Sequence, residues 1–304
     1  MIGVYGANGF IGRHVVERLL ARGQAVRAVS RRFDSRVAAA WEDRLDLVEA
    51  DFTNPLSTLS TVQGLDTVIQ LISSSSPGMG NRVLVDDIQE NVIPHVSFIQ
   101  KAISAGVRRY IFVSSGGTVY GPNAPVPTAE TAHTNPINSH GMTKLMIEKY
   151  LQMFSRVDGL EYVILRVSNP YGPGQTFRKG QGLIPAILQR QRESLPIQIF
   201  GDGSSQRDYI YIDDLTAAVE KVVDCPSAGN EVFNIGKGEG RSILEVIETL
   251  EATLGVCFEK EFLPGRNTDV SRSVLDISKA CRLLSWAPGI SLEEGVERML
   301  VPWR

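Results

Sequence analysis

The first twelve residues constrain the fold of this chain more than any other stretch. An apolar run, Ile2–Tyr5, stops at a glycine, and further glycines follow with the spacing G-x-x-G-x-x-G before a helical apolar pattern that ends at Gly23. Strand, glycine turn and helix in this order are typical of a dinucleotide-binding corner, where the backbone approaches a pyrophosphate and the helix start offers N–H groups. The alternative is an ordinary strand-to-helix turn. The residues predicted to contact a cofactor here are Gly6, Asn8, Gly9, Phe10, Ile11 and Gly12.

The end of the second predicted strand, 25–29, bears on which dinucleotide would bind. An acidic residue at this place would hold the ribose 2′-hydroxyl of NAD. The chain has Ser30, Arg31 and Arg32 instead, a small hydroxyl and two cations that suit a 2′-phosphate. The sequence therefore favours NADP, and the alternative is that these are solvated loop arginines beside NAD.

Strand and helix patterns alternate through the first half of the chain. Further strands are predicted at 45–50, 66–72, 109–113 and 162–167, with long helices at 85–105 and 140–154. Such alternation indicates a parallel sheet with helices on both faces, and right-handed crossovers make it a doubly wound α/β (Rossmann) sheet.

Beyond residue 174 the alternation weakens, which predicts a smaller C-terminal α/β lobe that binds substrate. We expect residues 1–170, with about 208–236, to form the NAD(P)-binding domain. In this division 209–223 and 233–235 return to the sheet. Residues 171–207 and 237–304 are expected to form the smaller lobe.

Composition argues against several other classes of protein. The net charge of −3 gives no sign of a nucleic-acid or anionic-membrane partner. The apolar stretches are far shorter than the ~18 residues that a membrane helix needs, and the opening strand has no features of a secretory signal. Cys225, Cys257 and Cys281 are odd in number and the histidines form no ligand pattern. We therefore expect free buried thiols, no metal and a cytoplasmic location.

Polar residues follow the predicted strands, at the carboxyl edge where open α/β sheets bind ligands. Asp51 and Phe52 follow the third strand as an acid and apolar pair suited to flank an adenine ring. The fourth strand runs into a serine- and glycine-rich loop. The cofactor contacts predicted there are Leu71, Ile72 and Ser73, and the predicted substrate contact is Ser75.

Seven motifs in order resemble those of the extended short-chain dehydrogenases/reductases, specifically the nucleotide-sugar epimerase/dehydratase group of the UDP-galactose 4-epimerase type. The motifs are the glycine loop, Asp51-Phe52, Asn91-Val92 and the segments 114–121, 166–173, 207–214 and 263–288. The resemblance spans nearly the whole length. It implies NAD(P) on the Rossmann half and a nucleotide diphosphate sugar, a UDP- or dTDP-hexose, held by the smaller lobe.

The resemblance also implies roles for single residues. The implied cofactor residues are Asn91, Ser114 and Lys144, and the implied substrate residues are Ser75, Thr118, Asn169, Arg207, Arg266 and Asp269. The two arginines would bind the diphosphate, a sensible use of forked and permanently charged donors. A homodimer through the helices at about 85–105 and 140–154 is implied as well.

The catalytic motif departs from the family pattern of Ser/Thr, Tyr and Lys, in which the last two form Y-x-x-x-K. Lys144 stands at the lysine position, but His140 stands at the tyrosine position and Gly116 at the Ser/Thr position. Residues four apart share a helix face, so His140 and Lys144 can both point at the site. With Gly116 unable to hydrogen-bond, Ser114, Ser115 or Thr118 would orient the sugar oxygen, and we favour Thr118.

A histidine can replace the tyrosine in kind. Tyrosine has an unperturbed pKa near ~10 that cations must lower, whereas histidine begins near ~6.5. The charges of Lys144 and of an oxidised nicotinamide would favour neutral imidazole. A neutral His140 could accept a hydroxyl proton and return it later.

Three functions remain open from the sequence. The leading prediction is a 4-epimerase that transfers hydride at hexose C4 through a 4-keto intermediate. The second is a one-way, NADPH-dependent reductase of a 4-keto-6-deoxy sugar nucleotide, which Ser30, Arg31 and Arg32 would suit. The third is a catalytically impaired NAD(P)-binding member, in which His140 marks lost activity. A dehydratase is disfavoured because Gly117 and Thr118 stand where dehydratases place Asp and Glu.

Overall fold

The structure is a computed structural model, and it describes residues 1–75, 84–177, 182–265 and 270–300. Its strands are β1 (Ile2–Tyr5), β2 (Val26–Ser30), β3 (Asp46–Glu49), β4 (Thr67–Gln70), β5 (Arg109–Ser115), β6 (Glu161–Val167), β7 (Asn169–Tyr171), β8 (Ile197–Phe200), β9 (Gln206–Tyr211), β10 (Glu231–Ile235), β11 (Gly240–Ser242), β12 (Lys260–Leu263) and β13 (Arg272–Ser273).

The helices follow the same chain order. They are α1 (Phe10–Ala21), α2 (Ser35–Trp41), α3 (Leu84–Asp87), α4 (Ile93–Ser104), α5 (Ser139–Asp158), α6 (Leu183–Arg192), α7 (Ile212–Asp224), α8 (Ile243–Leu254), α9 (Ser278–Leu284) and α10 (Leu292–Leu300). A π-helical turn, Ile88–Val92, joins α3 to α4. Among the residues that the structure describes, no helix has both the length and the apolarity to span a bilayer.

Seven parallel strands form the main sheet, in the order β10-β6-β5-β4-β1-β2-β3. The strand order reverses between β1 and β4, so their carboxyl ends flank the crevice where open sheets of this type bind ligands. The predicted doubly wound α/β fold with a smaller C-terminal part is confirmed.

Helices cover both faces of the main sheet, which explains why its strands read as nearly continuous apolar runs. Val15 and Leu19 of α1 are buried in the cluster that covers one face. Phe98 of α4 and Leu151 of α5 are buried in the cluster on the other face. This double burial fixes α5 against the sheet, and α5 carries the residues of greatest interest.

The C-terminal half returns to the main sheet only in part. Residues 233–235 do so, since β10 pairs with β6 in parallel. The expectation that the segment from Tyr209 also returns is wrong for its strand, because β9 pairs with β7, β11 and β13 in a separate sheet. An edge strand has one free side, and β10 occupies the free side of β6. The domain boundaries themselves stay a prediction.

The three cysteines are free thiols. The expectation that all are buried is wrong, because Cys225 and Cys281 are half-buried and Cys257 is exposed in the loop after α8.

Candidate active site

The glycine corner between β1 and α1 is shaped for close approach of another group. Gly6 has a φ of +85°, a conformation that L side chains rarely adopt. A Cβ on Gly12 would lie 2.8 Å from the Ala7 Cα and closer still to the Gly6 carbonyl oxygen. Gly9 caps α1 without a side-chain hydrogen bond, and the first turn carries no acidic residue. The first N–H groups of α1 thus suit an anion such as the pyrophosphate of a dinucleotide.

Asn8 ties this corner to the loop after β2. Its Nδ2 donates to the Arg32 carbonyl at 3.0 Å, and its Oδ1 accepts from Arg13 Nη2 at 2.8 Å. Ser30 ends β2 half-buried, and Arg31 and Arg32 are exposed. The loop that sequence reasoning linked to NADP therefore lies beside the glycine corner.

Asp51 and Phe52 follow β3 but face different ways. The Asp51 carboxylate accepts from the Thr53 hydroxyl at 2.8 Å and from the Thr53 amide at 2.9 Å. These hydrogen bonds lower the pKa of Asp51, with a smaller contribution from Arg31. The Phe52 ring is buried against Phe98, 5.1 Å between centroids. Phe52 therefore serves the core, since an aromatic ring gains most from burial there.

The loop after β4 begins beside the glycine corner. The Leu71 amide donates to the Tyr5 carbonyl at 3.0 Å, and the Ile72 side chain lies 3.2 Å from where a Gly6 Cβ would be. Asn91, buried on the π-helical turn, holds the next part of the loop. Its Oδ1 accepts from the Ser74 amide at 2.9 Å and its Nδ2 donates to the Ser74 hydroxyl at 2.8 Å. Its contacts thus shape the loop.

One face of α5 carries three buried ionisable side chains, His140, Lys144 and Glu148, at four-residue spacing. Asn138 caps the helix by accepting from the Gly141 amide at 2.8 Å. Gly141 has no room for a side chain, because its Cβ would lie 2.8 Å from the Thr118 carbonyl oxygen. The first turn of α5 is thereby pressed against the segment that follows β5.

His140 is 8% exposed, and its Nδ1 lies 3.2 Å from the Ser75 hydroxyl. The Ser75 backbone also hydrogen-bonds the imidazole. A backbone carbonyl can only accept, so a proton on Nδ1, the nitrogen that faces Ser75, would satisfy this contact and leave Nε2 as the acceptor. Burial, with a smaller contribution from Lys144, lowers the pKa of His140 to about 4, and Asp87 opposes the shift. The ring is therefore neutral at neutral pH.

Lys144 points from the same face towards β5. Its Nζ donates to the Val113 carbonyl at 2.9 Å and lies 4.8 Å from the centroid of the Phe112 ring. Burial lowers the pKa of Lys144 to about 8, against the raising effect of Glu148 and Asp87. Lys144 thus loses its positive charge as the pH rises through about 8.

Glu148 anchors a buried polar network that the sequence analysis missed. It accepts from the Ser114 hydroxyl at 2.5 Å and pairs with Arg166 Nη2 at 2.7 Å. Arg166 Nη1 in turn donates to the Tyr120 hydroxyl at 3.0 Å. The four-residue spacing from Lys144 to Glu148 was the signal that could have revealed it. Burial raises the pKa of Tyr120, so this nearby phenol is poorly suited to replace His140 as a base.

A side chain at the position of Gly116 would require Leu275 to move. A Cβ there would lie 2.6 Å from Leu275 Cδ1 and 3.0 Å from the Arg166 carbonyl oxygen. Thr118 Oγ1, two residues on, is buried and has no hydrogen-bond partner among the residues that the structure describes. A buried hydroxyl without a partner is costly unless a ligand satisfies it. Ser115 closes the turn by accepting from the Thr118 amide at 3.3 Å through its carbonyl.

Two of the predicted substrate residues, Asn169 and Arg207, lie on paired strands. Asn169 on β7 is in register with Tyr209 on β9, and its Nδ2 donates to the Asp208 carbonyl at 2.9 Å. Arg207 is half-buried on β9 and donates to the Gln206 carbonyl at 2.9 Å. Arg266 and Asp269 lie outside the described residues.

The chain is similar to known proteins over nearly its whole length. The sequence profile of the NAD dependent epimerase/dehydratase family matches residues 2–236. The chain is 32% identical to the dTDP-4-dehydro-6-deoxyglucose reductase of Escherichia coli over 98% of this chain and 95% of that one. A solved Thermotoga maritima UDP-glucose 4-epimerase with UDP-glucose is 33% identical, covers 100% and 98% of the two chains and has a TM-score of 0.92. A Thermus thermophilus UDP-glucose 4-epimerase complex with NAD is 26% identical, covers 98% and 97% and has a TM-score of 0.89.

Proposed function

Since the chain belongs to the NAD dependent epimerase/dehydratase family, we propose that it is a nucleotide diphosphate sugar 4-epimerase that works through a 4-keto intermediate. The observation that carries this proposal is the pairing of a neutral His140, whose Nδ1 faces Ser75, and a buried Lys144 on one face of α5. Thr118, with its unpartnered hydroxyl, completes the set.

The glycine corner would hold the cofactor through the backbone of Gly6 to Gly12 and the first turn of α1. The nicotinamide of a dinucleotide held in this way would supply the acceptor and donor for the C4 hydride. Asp51 and the loop from Leu71 to Ser73 lie at the same edge of the sheet and would contact the adenosine and phosphate parts. Ser114 supports this edge indirectly, through Glu148.

His140 would act on the sugar hydroxyl as base and then as acid. Nε2 takes the O4 proton while Thr118 Oγ1 donates to O4 and orients it. The low pKa of His140, caused first by burial, means that the imidazolium holds this proton briefly and returns it readily. Lys144 contributes positive charge where the oxygen becomes negative. The keto sugar turns over, and return of the proton from Nε2 to O4 completes the inverted alcohol.

The smaller lobe would hold the nucleotide and diphosphate. Arg207 of this lobe supports the role, and paired strands place Asn169, at the end of the NAD(P) domain, in the same sheet. The roles of Arg266 and Asp269 rest on the sequence alone. We accordingly propose the division into an NAD(P) domain, 1–170 with about 208–236, and a sugar-nucleotide lobe that contains the remainder.

The cofactor is proposed to be NADP, on the ground that Ser30 replaces an acid and Arg31 is exposed beside it. Ser30→Asp should reverse the preference, since a carboxylate repels a 2′-phosphate and accepts from a 2′-hydroxyl. Titration of each variant with NADP and NAD measures this, with Arg36→Gln as the control because Arg36 is an exposed arginine on α2. Equal affinities of Ser30→Asp and wild type for NADP would contradict the proposal.

A homodimer through the helical segment from α3 to α4 and through α5 is supported by exposed apolar side chains on these elements. Those at least 37% exposed are Leu84, Val85, Ile88, Ile93, Met142, Met146, Met153 and Val157. Met146→Glu should yield a monomer in analytical ultracentrifugation. Leu195→Glu is the control, because Leu195 is exposed to 45% on another part of the molecule. A monomeric wild type would reject the dimer.

A 4-ketoreductase is the second candidate, favoured by the Escherichia coli relative and by the Ser30 to Arg32 sequence. An epimerase interconverts UDP-glucose and UDP-galactose without added nicotinamide. A reductase consumes NADPH in proportion to a 4-keto-6-deoxy sugar nucleotide. Folded protein that binds a dinucleotide but performs neither reaction would identify the third possibility, a catalytically impaired member.

A further inference from the structure

A buried acid that the proposed mechanism does not use, Asp87, is near enough to His140 to raise its pKa. Asp87, the last residue of α3, is 4% exposed, whereas the adjacent Asp86 is exposed. The π-helical turn that follows widens the helix at this point, and such turns are frequent at functional sites. A carboxylate is seldom buried unless its environment uses its charge.

Asp87 fixes the orientation of the Asn91 amide. Asn91 Nδ2 donates to Asp87 Oδ1 at 2.7 Å and to the Asp87 carbonyl at 3.1 Å. A carboxylate can only accept, so it holds the NH₂ end of the amide towards itself and leaves Oδ1 for the opposite side. That oxygen accepts from the Ser74 amide at 2.9 Å, and Nδ2 also reaches the Ser74 hydroxyl at 2.8 Å.

The contacts continue from Ser74 to the imidazole. Ser74 is followed directly by Ser75, whose hydroxyl is 3.2 Å from His140 Nδ1 and whose backbone also hydrogen-bonds the ring. The Ser73 hydroxyl donates to the Ser75 carbonyl at 3.1 Å and steadies it further. An unbroken path of hydrogen bonds and one peptide link therefore joins Asp87 to His140.

We propose that Asp87 is a positioning residue that, through Asn91 and the Ser74–Ser75 turn, keeps His140 in the tautomer whose Nε2 can accept a proton. This inference rests on the proposed function, in which Nε2 takes the sugar proton. Asp87 also supplies buried negative charge to a neighbourhood of other charges. The ionisable side chains whose pKa values it raises are His140 and Lys144 on α5, and the pKa of Lys144 is also raised by Glu148 on the same helix.

The proposal can be tested on the whole protein by ¹⁵N NMR of labelled histidine, without any substrate. The His140 signals are assigned by their loss in His140→Phe. We expect one tautomer with the proton on Nδ1 in wild type and in Asp86→Asn, the exposed matched control. In Asp87→Asn the Asn91 amide can flip, so a mixture of tautomers is expected. Retention of the wild-type tautomer in Asp87→Asn would overturn the proposal.

Activity and titration provide a second readout. Asp87→Asn should lower kcat by up to about 10²-fold with little change in KM, since the acceptor is misplaced while the binding surface remains. It should also move the Lys144 titration below pH 8, because Asp87 raises that pKa. An unchanged pH profile would count against the proposal.

A milder variant covers the case in which Asp87→Asn does not fold. Ser74→Ala removes one acceptor of Asn91 and leaves the carboxylate in place, and we expect partial loss of the Nδ1 tautomer. The wild-type tautomer in Ser74→Ala would then reject the path. These spectra are independent of turnover, so an inactive wild type would overturn the proposed function without deciding the role of Asp87.

Discussion

The glycine corner and the buried face of α5 lie at the same edge of the sheet but are built in opposite ways. The corner depends on missing side chains, since a Cβ on Gly12 would meet the backbone of Gly6 and Ala7. The α5 face depends on the presence of particular side chains in a buried setting that moves their pKa values. Dinucleotide binding at the corner would thus depend on the shape of the backbone, and the proposed chemistry at α5 would depend on the charges of its side chains.

The largest effect should come from removing the base on the α5 face. His140→Phe keeps the volume of the ring but cannot accept a proton, so kcat for epimerisation should fall by about 10²–10⁴-fold. Dinucleotide affinity should stay near that of wild type, because the corner is untouched. Steady-state kinetics and a dinucleotide titration measure the two quantities.

His140→Tyr sharpens this test, because it introduces the residue that the sequence resemblance implies at this position. A large gain in kcat would mean that histidine handicaps this protein. Equal turnover of His140→Phe and wild type would remove His140 from the mechanism and break the contrast between the two regions.

Adding one methyl group at the corner should give the next largest effect. Gly12→Ala places a Cβ against backbone that cannot move freely, so we expect dinucleotide affinity to fall at least about tenfold and stability by about 1–3 kcal/mol. Calorimetric titration and denaturant unfolding check these values. Gly289→Ala is the control, because open space surrounds that glycine. Normal binding by Gly12→Ala would show that the corner does not rely on close approach.

A pH profile tests the charge of the α5 face. Burial lowers the pKa of Lys144 to about 8, so the ammonium is present below that pH and is lost above it. If its charge assists the reaction, kcat should decline as the pH rises through 8. Lys144→Met should be slower and should lack this decline. A decline that persists in Lys144→Met would assign the titration to another group.

The smallest effect concerns stability in acid. Burial lowers the folded-state pKa of His140 to about 4 and of His95 to about 3, whereas both are near 6.5 when unfolded. The unfolded chain therefore binds more protons between pH 6.5 and 3, and these histidines reduce stability as the pH falls through that window. His140→Phe should lose less stability than wild type between pH 6.5 and 4 in urea unfolding. His133→Gln, which alters an exposed histidine, should follow wild type.

Local pattern was enough to predict much of the fold. The limits of β1 follow from the sequence alone, and β5, β6 and the long α5 differ from expectation only at their ends. The helix expected at 85–105 is interrupted by a π-helical turn, which periodicity does not reveal because the same residues suit either helix. The strands that pair with β9 could not be predicted from the sequence either, since sheet pairing depends on which strand edges are already occupied.

By itself the sequence determined the glycine corner, the alternating fold and the joint presence of His140 and Lys144 on one helical face. These follow from steric rules and residue spacing that act over a few residues. Only the tertiary structure decided that burial is the main cause of a neutral His140, that Phe52 packs in the core and that a Cβ on Gly116 would crowd Leu275. Burial, electrostatics and close contact arise between segments that are distant along the chain, so no local pattern records them.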